Sequence, residues 1–139
     1  MVQIEIEFDP TKITELAGKM PEAMERGMDY SSQAMVRALM MNSPFDHGTL
    51  KSWFVESLSA EEAVIKTPAH YAAWVNDGTG PHWITPVAKK ALFWKGAAHP
   101  VAWVFHPGIE GRHFVENSIM EVAPRLNEFY LRAIREGLS

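Results

Sequence analysis

Apolar and polar residues alternate at the start of the chain. The apolar positions are Val2, Ile4, Ile6 and Phe8, with Gln3, Glu5 and Glu7 between them. A period of two is typical of a half-buried strand, so the pattern predicts a strand over residues 2–8 with one face in solvent. Asp9-Pro10 is expected to end it, and a short amphipathic helix is expected to follow.

A second, longer helix is predicted from Pro21 to about Asn42, because proline is favoured at the first position of a helix. One face of this helix carries small side chains at spacings of four and three, with methionines beside them. The residues concerned include Ala23, Gly27, Ala34, Met28 and Met35. Small residues let another backbone approach and methionine fills irregular gaps. The stripe is therefore either a core face or a contact with a neighbouring subunit.

Turns and short strands are predicted in the middle of the chain. Residues 49–59 fit neither the helical nor the strand period. The other predicted elements are a turn at Asp46-His47-Gly48, a strand over 62–67, a short helix over 69–76, and strands over 91–95 and 101–106. All five tryptophans lie in this middle part, between positions 53 and 103. Most of them are expected in the core, and an exposed remainder would favour a protein–protein contact.

The C-terminal part has the clearest periodicity. Apolar residues recur every three or four positions from Val115 to Ala133, which predicts an amphipathic helix, with a kink or restart at Pro124. We expect Leu126 and Phe129 to be buried against the sheet. The whole chain, residues 1–139, thus reads as a single α+β domain. A small mixed or antiparallel sheet would pack against a long helix in the N-terminal half and a C-terminal helix.

Composition narrows the functional classes. The 139 residues are 47% hydrophobic and 22% charged, which is typical of a globular chain. The net charge of −4 disfavours sequence-independent binding of nucleic acid. No apolar run is long enough to span a membrane, and no signal peptide is expected. The chain has no cysteine, which excludes disulfides and thiolate sites and fits synthesis in a reducing cytosol.

Candidate chemistry is sparse. The six histidines include no pair at the spacing of three or four that a helical zinc site uses, and the nearest pairs are seven residues apart. The serine motif G-x-S-x-G is absent, and Gly78-Thr79-Gly80 lacks the lysine of a phosphate-binding loop. We therefore expect no catalytic residue, no metal and no cofactor. If a metal were bound, His82, His106 and His113 would be the candidate ligands.

An ordered set of turn and core residues runs through the middle of the chain. The set is Pro44, Gly48, Leu50, Tyr71, Ala72, Gly78, Thr79, Ile84, Pro86, His106, Pro107, Gly108 and Phe114. In this order and at these separations, over roughly residues 20–135, the chain resembles the HK97 gp10-like family of tailed-phage proteins. It departs from the family at His47, where threonine is usual, and at Asn76, where glutamate is common.

The resemblance implies a non-enzymatic virion protein at the head–tail junction, assembled in the bacterial host cytoplasm. It implies a closed ring, six-fold in the virion, through which DNA passes without specific binding. The partners would be a head-closure or connector protein and a tail terminator or tail tube protein. The candidate interface is the small-residue stripe together with Trp83. A tail terminator or other minor tail protein is the first alternative, and a small metal- or histidine-dependent enzyme is the second.

Overall fold

The computed structural model describes residues 2–7, 9–44, 48–87 and 90–138. The helices are α1 Pro10–Asn42, α2 Ala72–Asp77, α3 Phe114–Val122 and α4 Leu126–Leu138. The strands are β1 Phe54–Leu58, β2 Ala63–Lys66, β3 Gly78–Thr79, β4 His82–Ile84, β5 Val104–His106 and β6 Ile109–Glu110. Short 3₁₀ turns cover Gly48–Lys51 and Ala123–Arg125. The architecture is α+β, with a long N-terminal helix, small antiparallel sheets and a C-terminal helix, which confirms the predicted class.

Helix α1 is one continuous helix of 33 residues, where the sequence predicted two. Asp9 caps it by accepting a hydrogen bond from the backbone N–H of Thr11 at 2.9 Å, and Pro10 takes the first helical position. Pro21 lies inside the helix. It cannot donate to the carbonyl of Ala17, which lies on an exposed turn where water can replace the missing donor. The predicted start at Pro21 is therefore wrong.

The N-terminal segment, residues 2–7, is not a strand, so this prediction is also wrong; Phe8 lies outside the described residues. A strand needs a neighbour to bond its backbone, and none of the described strands pairs with this segment. Its apolar side chains lie in solvent, with Val2 90%, Ile4 82% and Ile6 88% exposed. The alternating pattern is present without the partner surface that it requires.

The described strands form three separate antiparallel pairs, β1 with β2, β3 with β6, and β4 with β5. The predicted strand over 62–67 is confirmed as β2. The ambiguous stretch 49–59 divides into a 3₁₀ turn and β1, whose register shifts between Val55 and Ser57. Asp46 and His47 of the predicted turn lie outside the described residues.

The later strands are only partly as predicted. The pair over 91–95 and 101–106 is reduced to one bridge between Leu92 and Val101, followed by β5. Strand β4 was missed because three residues are too few to show a period of two. The short helix predicted over 69–76 exists, but it begins at Ala72.

The main core lies where α1, α2 and α3 meet. Its buried apolar residues are Leu39, Leu50, Ala69, Ala72 and Phe114. Trp53 packs edge-on against Phe114, with ring centroids 6.2 Å apart. The expectation that most tryptophans are core is wrong, because Trp74, Trp83, Trp94 and Trp103 are all exposed.

A second packed region joins α1 to α4. The chain restarts at Pro124 through a 3₁₀ turn, as predicted, and α4 then runs back along α1. Ala133 is fully buried, whereas Leu126 is exposed and Phe129 only partly buried. The predicted burial of Leu126 and Phe129 against the sheet is wrong, because the buried face of α4 turns toward α1 instead.

Candidate interaction surfaces

The most exposed apolar structure after the N-terminal segment is a two-stranded ribbon. We define the ribbon as residues 82–106, of which 82–87 and 90–106 are described. Strands β4 and β5 form one end, with Trp83 opposite Phe105 and Ile84 opposite Val104. Further out, Leu92 and Val101 exchange two backbone hydrogen bonds of 2.7 and 2.9 Å. The two strands of the ribbon therefore pair with each other and with no other described strand.

Aromatic side chains cover the ribbon and face solvent. The exposed ones are Trp83, Phe93, Trp94, Trp103 and Phe105. Trp83 and Phe105 touch edge to face, with ring centroids 5.1 Å apart, and this contact leaves both rings largely in solvent. An isolated two-stranded hairpin is marginally stable in water, and tryptophan is enriched in protein interfaces. The ribbon is thus a candidate docking element.

A tight base of two paired strands carries the ribbon. Strand β3 pairs with β6, so that Thr79 lies opposite Ile109. Gly108 has φ +88°, and a Cβ built on it would lie 2.2 Å from the carbonyl oxygen of Thr79. Gly78 has φ +81°, and its Cβ would lie 2.6 Å from the carbonyl oxygen of Ile109. Only glycine fits at these two positions, and this close approach fixes where the ribbon leaves the core.

Asn76 ties this base to the core. The buried side chain accepts a hydrogen bond from the backbone N–H of Val115 at 2.9 Å, and its amide donates to Glu116 at 3.0 Å. Its backbone carbonyl accepts from the N–H of His113, the residue before α3, which has φ +49° and gives no side-chain cap of its own. Asn76 therefore caps α3 from a distance of 39 residues. Sequence reasoning noted Asn76 only as a departure from a motif, because caps are recognised from neighbouring residues.

The small-residue stripe on α1 divides between two surroundings. Ala23 and Gly27 are buried under α4, and a Cβ at Gly27 would lie 2.4 Å from Cδ1 of Tyr130. These two residues are a contact within the chain, so their assignment to a subunit interface is wrong. Ala34 is partly buried and lines a polar groove beside Arg37.

The methionines of the stripe remain accessible. Met28 and Met35 line a shallow apolar groove of about 220 Å³ between α1, β2 and the α3–α4 junction. Ile65 of β2, Ile119 of α3 and Leu126 of α4 line it too. We call this surface the apolar groove. It is the part of the predicted interface on α1 that stays open to a partner.

Most of the motif residues fall into two groups. Leu50, Ala72 and Phe114 belong to the main core, and Tyr71 packs against it. The second group lies in the ribbon and its base, namely Gly78, Thr79, Ile84, Pro86, His106, Pro107 and Gly108. Pro44 and Gly48 flank the undescribed residues 45–47. The motif therefore describes a packed core and the ribbon it carries.

One charged cluster joins α1 to α4 at the surface. Tyr30 donates a hydrogen bond to Glu136, and Arg132 donates to the same carboxylate at 2.9 Å. The guanidinium of Arg132 also lies over the Tyr30 ring, 4.6 Å from its centre. The hydrogen bond from Tyr30, together with that from Arg132, lowers the pKa of Glu136, and the same bond to Glu136 raises the pKa of Tyr30.

The histidines give no cluster in the described part of the chain. His82 and His106 stack across the ribbon with ring centroids 5.1 Å apart, while His113 lies at the start of α3. No three histidine, aspartate or glutamate side chains among the described residues are placed to hold a metal ion. The expectation that the protein binds no metal stays a prediction. Among the described helices, none has the length and apolar character needed to cross a bilayer.

No protein-family model, curated protein or solved structure matches this chain.

Proposed function

We propose that this protein is a structural subunit of a tailed-phage virion, a ring component at the head–tail junction that helps to join or complete the tail. The observation that carries the proposal is the aromatic ribbon, an exposed element held by its own backbone pairs and mounted on a glycine base. The order of the motif residues supports it, because the same residues that resemble the HK97 gp10-like family build this base and the core beneath it.

The surface area of the chain supports an assembling subunit. The accessible surface is 10702 Å². A compact monomer of 15.7 kDa is expected to expose about 7,300 Å². The excess is about 3,400 Å² on this scaling. A ring subunit uses two different faces, and two faces of standard size bury about 1,600 Å² per subunit. The chain has ample area for both neighbours in a ring and for a further contact along its axis.

The residues on the exposed surface favour recognition of protein. The ribbon presents aromatic rings, and the net charge of the chain is −4. An acidic subunit around a channel would let DNA pass without holding it. In this role the ribbon docks on a head-closure or connector protein, or on a tail component, and the ring forms through contacts between copies.

The test of the proposal is the variant Trp83→Ala. Trp83 is exposed and touches Phe105, so its removal should leave the core intact and the circular dichroism spectrum unchanged. A phage lacking its own copy of the gene is complemented with the variant, and infectious particles are counted. We expect a loss of on the order of a hundredfold, because a central interface tryptophan contributes about 2 kcal/mol or more and a ring multiplies the loss. Electron microscopy should show separate heads and tails.

Trp74→Ala is the matched control. Trp74 is 60% exposed and Trp83 is 63% exposed, but Trp74 lies on α2 and is not part of the ribbon. The control should complement normally. Equal yields from both variants would remove the ribbon from the docking role, and absence of the protein from purified particles would overturn the virion proposal itself.

A further inference from the structure

The N-terminal segment and the apolar groove are two apolar surfaces without a counterpart in the described chain. The segment, residues 2–7, belongs to no helix or strand, and Val2, Ile4 and Ile6 are almost completely exposed. Because they alternate with polar residues, they would lie on one side of the segment in an extended conformation. These three side chains span about 13 Å in an extended chain. The α1 wall of the groove, from Met28 to Met35, runs about 10 Å along the helix. The two surfaces match in length.

The groove suits an extended apolar chain. Ser31 and Ser32 are the polar side chains on its floor, and both hydroxyls donate to helix carbonyls, at 2.8 and 2.9 Å. An apolar occupant would therefore leave neither serine hydroxyl without a hydrogen-bond partner. Ile65 belongs to β2, which pairs only with β1 among the described strands and so keeps an unpaired edge. An extended segment can lie along such an edge with alternate side chains in the groove.

The segment cannot fill the groove of its own chain. Ile4 is six residues before Pro10, so a fully extended chain carries it at most about 22 Å from the start of α1. Met35 lies 25 residues into the helix, about 38 Å from Pro10. Ile119 is at the same far end, because Asn42 at the end of α1 donates to its neighbour Ser118 at 3.0 Å. The shortfall is about 16 Å.

We propose that the N-terminal segment of one copy lies in the apolar groove of a second copy, with Val2, Ile4 and Ile6 packed between α1, β2 and α3. The occupant is a second copy because the segment has the length and alternation that the groove accepts, and because only Val2 can reach even the near end of the groove in its own chain, at Met28. The contact joins two different patches, so it repeats from subunit to subunit and can close into a ring. This inference rests on the proposed function, because it names the contact that would join the subunits of the proposed ring.

The experiment uses the absence of native cysteine. One full-length preparation carries Ile4→Cys and another carries Ile119→Cys, and the two are mixed and treated with a short bis-maleimide. Ile4 is the central residue of the segment, so its position in the groove is the same for either direction of the segment. We expect a crosslinked pair of chains on a denaturing gel. A docked residue has an effective concentration in the millimolar range, so at micromolar protein the yield should exceed that of an undocked pair by at least about tenfold.

Met120→Cys replaces Ile119→Cys as the matched control. Met120 is the next residue on α3 and is more exposed, but it does not line the groove. A chain carrying both Ile4→Cys and Ile119→Cys should form crosslinked oligomers and no internally closed monomer.

Three results would overturn the proposal: equal yields with Ile119→Cys and Met120→Cys, an internally closed monomer, or a selective crosslink to Ile119→Cys from Trp103→Cys on the ribbon instead. The crosslink reports contact between copies in purified protein. Its failure therefore leaves the virion test with Trp83→Ala standing, and a failed virion test leaves the crosslink result standing.

Discussion

Two glycines on α1 offer the same substitution in opposite surroundings. Gly18 is exposed and a Cβ there would have no atom within 4 Å, whereas a Cβ at Gly27 would lie 2.4 Å from Cδ1 and 3.0 Å from Cγ of Tyr130. Alanine in a helix is favoured over glycine by about 1 kcal/mol. Gly18→Ala should therefore raise the free energy of unfolding by about that amount.

Gly27→Ala gains the same helix propensity but forces the whole Tyr130 ring to move, including Cγ, the atom that joins the ring to Cβ. Overpacking a close helix contact typically costs about 1–3 kcal/mol. Because the conflict reaches Cγ, and the Tyr130 hydroxyl also contacts the sulfur of Met28 at 3.8 Å, we expect a net loss of about 1–2 kcal/mol. The two variants should thus differ by about 2–3 kcal/mol, or roughly 10 °C in Tm for a chain of this size.

Urea unfolding followed by circular dichroism measures both free energies, and a double-mutant cycle isolates the contact. In a Tyr130→Ala background the ring is gone, so Gly27→Ala should become stabilising by about 1 kcal/mol. The reasoning fails if Gly27→Ala stabilises the protein as much as Gly18→Ala does in the otherwise unchanged chain. Unchanged stability with lost assembly would instead return Gly27 to a subunit interface.

Two further predictions concern the cap and the charged cluster. Asn76→Ala removes the cap of α3 and should lower the free energy of unfolding by about 2–3 kcal/mol. Asn127→Ala, at an exposed position of α4, should change it by less than about 0.5 kcal/mol. An equal effect of the two substitutions in thermal unfolding would contradict the capping role. The lowered pKa of Glu136 means that the folded state favours its charged form, so the stabilisation by this group is present above the ordinary glutamate pKa and is lost as the pH falls through the lowered value. The raised pKa of Tyr30 acts in the opposite sense: its contribution is present below the ordinary tyrosine pKa and is lost as the pH rises through the raised value. Unfolding at a series of pH values should therefore show Glu136→Gln to be less sensitive to acid than the unchanged protein, and an identical acid dependence would refute the assignment.

The sequence predicted the elements whose pattern is local. The C-terminal helix with its restart at Pro124 and the strand β2 follow from periodicity and from one missing backbone donor. The N-terminal strand failed because alternation describes the segment alone, while a strand exists only with a neighbour. Pro21 misled because proline is favoured at the first position of a helix, whereas here it lies inside one and removes a single backbone hydrogen bond.

The candidate surfaces were harder to predict for a related reason. The sequence pattern around Gly27 is the same whether α4 or another subunit covers this residue, since only the fold brings Tyr130 there. The cap by Asn76 joins residues 39 positions apart, which no local signature contains. Trp83 was expected at an interface, and it is exposed, but it lies on β4, a strand too short to show a period of two.

The paired base of the ribbon has a consequence for how such a protein can diversify. Thr79 and Ile109 are held opposite each other, so the two ends of the segment 82–106 are brought together by the base and not by the ribbon itself. The entropy of closing a longer or shorter insertion between fixed ends changes only slowly with its length. The ribbon is therefore an exchangeable module. Its length and aromatic content can change, and with them the partner that is recognised, while Gly78, Gly108 and the cap at Asn76 keep the same scaffold beneath it.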